Sequence, residues 1–164
     1  MDTLNVILGL ATLLCSLVAG LVLAFAIVVM PGIRSLGDRE FLRAFKVMDG
    51  VIQKSQPIFV LVWLGSVVAL GLAAGIGIFH LEGINRTLVV LAALAYFAGV
   101  QLTTFTKNIP LNNKLQIQDL DTSSAAALAE TREAFETQWI PWNSKRTFFA
   151  TLTVALLLAL ILRI

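Results

Sequence analysis

The sequence predicts an all-α membrane protein, a four-transmembrane-helix bundle with amphipathic interfacial helices in its two cytoplasmic loops. Hydrophobic residues make up 58% of the 164-residue chain and charged residues only 13%. That is about half the charge of an ordinary soluble domain, too little to cover so much apolar surface in water. Four runs are each apolar enough, and nearly all long enough, to cross a bilayer, which takes about 20 residues. The positive charge is concentrated between alternate runs, as in a multi-pass protein with a fixed orientation.

A single domain is expected over residues 1–164, with spans at about 5–30, 57–79, 87–106 and 144–163. No charge interrupts Thr3 to Ile33, and no Lys or Arg precedes that run, so it reads as a retained span and not a cleaved signal. Pro31 is expected to end the first helix, Pro57 to open the second and Pro110 to stop the third, because proline lacks a backbone donor and has a fixed φ. The uncharged part of the fourth run, Thr147 to Leu162, is short. It is expected to begin a turn earlier, near Asn143, with Lys145 and Arg146 reaching to the headgroups.

The loops 34–56 and 107–146 carry ten of the twelve Lys and Arg residues, and only Arg86 and Arg163 fall on the opposite side. The positive-inside rule then puts both loops in the cytoplasm and both termini outside, in a plasma or bacterial inner membrane. In the first loop Phe41, Phe45, Met48 and Ile52 form a helical stripe. In the second, Asp121 to Ser124 offers an N-cap for a helix over Ala125–Gln138, with Leu128, Phe135 and Trp139 near one face. Small residues recur every four positions as Ser16-Gly20-Ala24, Gly65-Ala69-Ala73-Gly77 and Ala95-Gly99-Thr103. Such stripes let helices approach closely, within this bundle or against a homo-oligomeric or larger-complex neighbour.

Several function classes fall away. A net charge of +2 without a basic cluster leaves no nucleic-acid footprint. One histidine, His80, and one cysteine, Cys15, supply no metal centre, disulfide or Cys–His nucleophile within one chain, and no phosphate-binding loop is present. No charge sits mid-membrane, as a transporter site usually requires. What stands out is a concentration of unusual residues at one end of the spans: Met30-Pro31-Gly32, Asn108-Ile109-Pro110-Leu111-Asn112, and Trp139-Ile-Pro-Trp142-Asn143-Ser-Lys-Arg146. Asparagines beside lipid need partners, and tryptophans with an arginine can hold a planar, partly polar ligand or an anion. The same residues also suit a helix cap and an interfacial belt.

The patterns Ala-Gly-x-x-x-Ala-Phe, Met-Pro-Gly, Asn-Ile-Pro-Leu-Asn and Trp-x-x-x-Asn-Ser-Lys-Arg resemble the anthrone oxygenase-like family of small four-helix membrane proteins, many of them domains of unknown function. The resemblance covers roughly residues 19 to 150. It implies oxidation of anthrones to anthraquinones without an obvious metal or flavin, so no cofactor is expected, and it carries over Asn108, Pro110, Asn112, Trp139, Asn143 and Arg146. Trp142 and Asp49 complete the candidate ligand-binding set, while no catalytic residue is fixed. The chain departs from the pattern at two positions: Asp49 stands where many relatives have Asn, and Ser144 where many have His. Without that histidine the base for a cofactor-independent oxygenase falls to Asp49 or Glu136, with Arg146 and the asparagines stabilising a phenolate. The expected ligand is a hydrophobic aromatic or quinone-like molecule from the lipid bilayer. The alternative is a non-catalytic small membrane subunit packed in a homo-oligomer or larger complex.

Overall fold

A computed structural model of the chain describes residues 3–164. Five helices follow in order: α1 (Thr3–Arg34), α2 (Asp38–Gln53), α3 (Pro57–His80), α4 (Gly83–Gln116) and α5 (Ala125–Ile161), with no strand among the described residues. All but α2 are long and apolar enough to cross a membrane. Helix is the form lipid requires of such runs, because each backbone donor and acceptor must find its partner within the segment. Pro57 opens α3 as expected, at a position whose amide would be unpaired anyway, and the Gln56 side chain caps the Phe59 amide.

The helices pack in two storeys. Between the apolar runs, Leu8 and Cys15 of α1, Leu70 and Ala73 of α3, Val89 and Tyr96 of α4 and Leu157 of α5 form one core. α4 has 34 residues and α5 has 37, about 50–55 Å at 1.5 Å per residue, against a hydrocarbon layer of about 30 Å. Their excess length emerges at the end of the bundle where α2 lies. There Phe41, Leu42 and Phe45 of α2 pack against Leu115, Leu128, Phe135 and Trp139 in a second core. The two amphipathic faces read from the sequence therefore meet each other.

Ala125–Gln138 is helical, capped by Ser124, whose hydroxyl accepts from the Ala127 amide at 3.3 Å. It is the first part of α5 and runs unbroken through Pro141 into the fourth apolar run. Before it, the Thr122 hydroxyl and the amides of Asp121 and Thr122 donate to Asp119 and hold its carboxyl below the usual range.

Neither Pro31 nor Pro110 ends its helix, contrary to expectation. Each follows a wide π turn, Phe25–Val29 before Pro31 and Thr104–Asn108 before Pro110. The residue ahead of each proline, Met30 or Ile109, donates its amide five residues back, to the Phe25 or Thr104 carbonyl. The extra residue in that turn displaces the carbonyl that the proline ring would otherwise meet. The helix then continues to Arg34 or Gln116.

Two of the three small-residue stripes pack the bundle. Ala69, Ala73 and Gly77 are buried, as are Ala95 and Gly99, whereas Gly20 faces outward with nothing near it. At Gly99 the approach is closest: a Cβ there would lie 2.2 Å from Cγ of Phe149 on α5. Gly99→Ala should therefore destabilise the bundle by about 1–3 kcal/mol through overpacking. Gly20→Ala should stay within about 0.5 kcal/mol of the parent, as a substitution free of contacts does. Thermal unfolding in detergent compares the two, and equal midpoints would contradict the packing.

Candidate functional site

Where the two cores meet they leave a cavity of about 290 Å³, near the lower end of small-molecule sites. All five helices wall it: Val22 and Phe25 from α1, Phe45 and Asp49 from α2, Phe59 and Trp63 from α3, Thr104, Phe105, Asn108 and Asn112 from α4, Trp139 and Arg146 from α5. Phe25 sits in the first π turn and Thr104, Phe105 and Asn108 in the last. Such turns re-aim side chains that a regular helix would direct elsewhere, and they recur at functional sites. A groove of similar size between Leu111 and Gln138 has no buried polar atom without a partner among the described residues.

At one end of the cavity is Asp49, 4% exposed. Asn112 Nδ2 donates to its Oδ1 at 2.7 Å, and Gln53 and Gln116 each donate to Oδ2 at 2.7 Å. Trp139 Nε1 donates to Asn112 Oδ1 at 2.9 Å, which fixes which way that amide faces. Asp49 forms no ion pair among the described residues. A carboxylate has about four lone-pair positions, so three amides orient it and leave one free on Oδ1.

Arg146 lies across the cavity wall, 9% exposed. Its Nε donates to Asn143 Oδ1 at 2.9 Å and Nη1 to Thr104 Oγ1 at 3.5 Å, while the guanidinium stands 5.4 Å from the centre of the Trp139 ring. Asn143 is anchored in turn by donating to the Val22 carbonyl at 3.2 Å. No carboxylate pairs with Arg146 among the described residues. On the same cavity Asn108 is 1% exposed, and neither its Oδ1 nor its Nδ2 has a partner among the described residues. A buried orphan donor or acceptor costs about 1–3 kcal/mol, and a buried unpaired charge more. The cavity thus presents a guanidinium and an amide nitrogen that can donate to a ligand oxygen, and an amide oxygen that can accept from a ligand hydroxyl.

Of the residues singled out from the sequence, Asp49, Asn108, Asn112, Trp139 and Arg146 line this one cavity. Asn143 stands behind it as the support of Arg146. Pro110 and Trp142 do not line it: Pro110 is exposed, and Trp142 faces Lys107 and Lys145, whose Nζ atoms stand 5.0 and 4.1 Å from its ring centre. Glu136 is committed to Arg34 at 3.1 Å and Arg132 at 2.9 Å, which leaves Asp49 as the carboxylate in the cavity. Ser144 is exposed and outside it. Gln53 and Gln116 escaped notice in the sequence, although each follows a candidate, Asp49 or Asn112, by one helical turn, the spacing at which side chains meet.

Replacing Arg146 by methionine removes a buried charge worth several kcal/mol of desolvation, and leaves Asn143 Oδ1 unpaired at about 1–3 kcal/mol. The first effect is larger, so Arg146→Met should unfold in detergent at the parent's temperature or above it. A marked fall in the midpoint would mean that the guanidinium holds the fold together and has no reserve for a ligand.

A family model described as anthrone oxygenase matches residues 48–156, two-thirds of the chain. The match takes in Asp49, the Asn108–Asn112 segment and Trp139 to Arg146. No curated protein and no solved structure matches the chain. With four apolar helices of spanning length, and with the polar residues of this cavity inside the matched region, the chain belongs to the anthrone oxygenase family.

Proposed function

We propose that the cavity binds a flat, hydrophobic aromatic phenol or quinone-like molecule and oxidises it with molecular oxygen. The observation that carries this reading is the pairing of a buried, carboxylate-free Arg146 with an Asn108 amide that has no partner at either atom. An anionic ring oxygen accepts from Arg146 and from Asn108 Nδ2, a phenolic hydroxyl of the same molecule donates to Asn108 Oδ1, and Phe25, Phe45 and Trp139 supply flat apolar walls.

For an anthrone-like substrate the steps balance as follows. Asp49 Oδ1 takes a proton from the ring methylene, and the electron pair spreads onto the ring oxygen, where Arg146 and Asn108 stabilise it. The carbanion adds to oxygen to form a peroxide anion, which takes the proton back from Asp49 and becomes a hydroperoxide. Asp49 then removes the remaining C–H proton; that electron pair forms the C=O bond as the O–O bond breaks, and the departing hydroxide takes the proton from Asp49 and leaves as water. Preorganised donors aimed at the developing oxyanion account for a large part of such rate enhancements.

The same reading puts the loops 34–56 and 107–146 in the cytoplasm and both termini outside, supported by the ten-to-two division of Lys and Arg. Arg163 Nε donates to Asn85 Oδ1 at 3.0 Å, so the C-terminus lies beside the turn between α3 and α4, away from those loops. In a Cys15→Ala background, a membrane-impermeant maleimide applied to intact cells should label Glu82→Cys and spare Ser35→Cys; the reverse pattern would invert the topology.

Purified protein should accelerate oxygen uptake with an anthrone. Asp49→Asn should lower the rate about 10²–10⁴-fold, the usual worth of a general base, with substrate affinity little changed. No acceleration by the parent protein would rule out the oxygenase reading. An unaffected Asp49→Asn would remove Asp49 from the chemistry.

A further inference from the structure

The cavity is open on its α3–α4 side. α3 packs on the first part of α4, Gly83–Leu94, and much less beyond it. The half of α4 that carries Phe105 and Asn108 therefore stands off from the half of α3 that carries Phe59 and Trp63. Ser66 and Tyr96 bridge the helices at 2.5 Å, and nearer the cavity Trp63 Nε1 donates to Gln101 Oε1 at 3.0 Å. Past that contact Phe105 lines the cavity and is also 61% exposed, so the lining continues onto the outer surface of the bundle. Phe59 and Trp63 form the other jamb, stacked at 26° with centroids 5.4 Å apart. Both jambs lie at the loop-side ends of stretches without a charged residue, Pro57 to Phe79 and Thr87 to Thr106, so in a membrane the opening meets the acyl chains near their headgroup edge.

The polar groups are arranged the other way round. Asp49 lies on α2 and Arg146 on α5, with Asn108 between them, and the unpartnered Asn108 amide is buried to 1% exposure. A space of about 290 Å³ holds a small ring system with no room for a long chain as well. An apolar substituent would have to leave through the opening, where hydrocarbon already surrounds it.

We infer that the ligand is a membrane-dissolved amphiphile, an aromatic head whose anionic oxygen meets Arg146 and Asn108 and whose apolar tail stays in the lipid between α3 and α4. This rests on the ligand site proposed above and goes beyond it in naming a tailed substrate and its path. Phe59, Trp63 and Phe105 then decide which tails are accepted, and Arg146 and Asn108 decide which heads.

The test uses the whole protein in lipid nanodiscs, with empty discs subtracted, and two probes: a hydroxynaphthoquinone, an enolate at neutral pH, and the same ring bearing a decyl chain. Compared at equal mole fraction in the bilayer, where the tail is in hydrocarbon before and after binding, the two should bind within about threefold of each other. Phe105→Trp, which narrows the opening, should weaken the decyl probe at least about tenfold more than the bare ring, because only the tail lies in the opening. Rejection of the decyl probe by the parent protein, or equal losses of both probes in Phe105→Trp, would overturn the tail's path and leave the site standing. Binding of neither probe would overturn the site and the inference together.

Discussion

Arg146 is a guanidinium removed from water, with no carboxylate beside it among the described residues, and a buried charge of that kind is costly to hold. Its surroundings follow from that. Thr104 and Asn143 offer oxygens, Trp139 offers the face of its ring, and Val22 anchors Asn143 through its carbonyl. Each is a neutral group that lessens the desolvation without cancelling the charge. The positive potential therefore remains directed into the cavity, where the Asn108 amide is also without a partner.

The helices are shaped to serve this arrangement. A regular α4 would turn Thr104 and Asn108 through a different phase, and Pro110 would break its ladder. The π turn over Thr104–Asn108 resolves both at once, because the wider turn makes room for the proline and rotates the polar side chains inward. The same device ahead of Pro31 brings Phe25 to the opposite wall, against Phe45 and Trp139 at 6.4 and 5.9 Å between ring centres. The widened turns are tolerated beside lipid because they still close their own backbone hydrogen bonds, Met30 to the Phe25 carbonyl and Ile109 to the Thr104 carbonyl. On the other side of the cavity, Asp49 is oriented by three amides and carries no counter-cation. Two opposite charges thus face one space without neutralising each other directly.

Much of the architecture is legible in the sequence because lipid imposes a coarse rule that length and composition obey. Four apolar runs must be helices, and charge must collect at one end. The Asn108–Asn112 and Trp139–Arg146 segments stand out for the same reason, since amides and guanidinium are costly there. What hides is helical phase. Trp139 and Trp142 are three residues apart, and only the tertiary arrangement turns the first into the cavity while Lys107 and Lys145 take the second. The prolines mislead likewise: a local rule ends the helix at Pro31 and Pro110, but packing with the neighbouring helices favours a widened turn that carries it on. Ala125–Gln138 has the composition of a surface helix, yet its apolar face is met by Phe41 and Phe45, so it continues into the span.

The central claim is that the Arg146–Asn108 wall is built for an anionic aromatic oxygen. A density map of the protein in lipid, with and without a bound hydroxynaphthoquinone, tests it most directly. Planar density in the cavity lined by Phe25 and Trp139, with one oxygen in hydrogen-bonding contact with both Arg146 and Asn108 and Asp49 still held by its three amides, is the expected result. A map in which Arg146 has swung over to pair with Asp49, closing the cavity, would contradict the account.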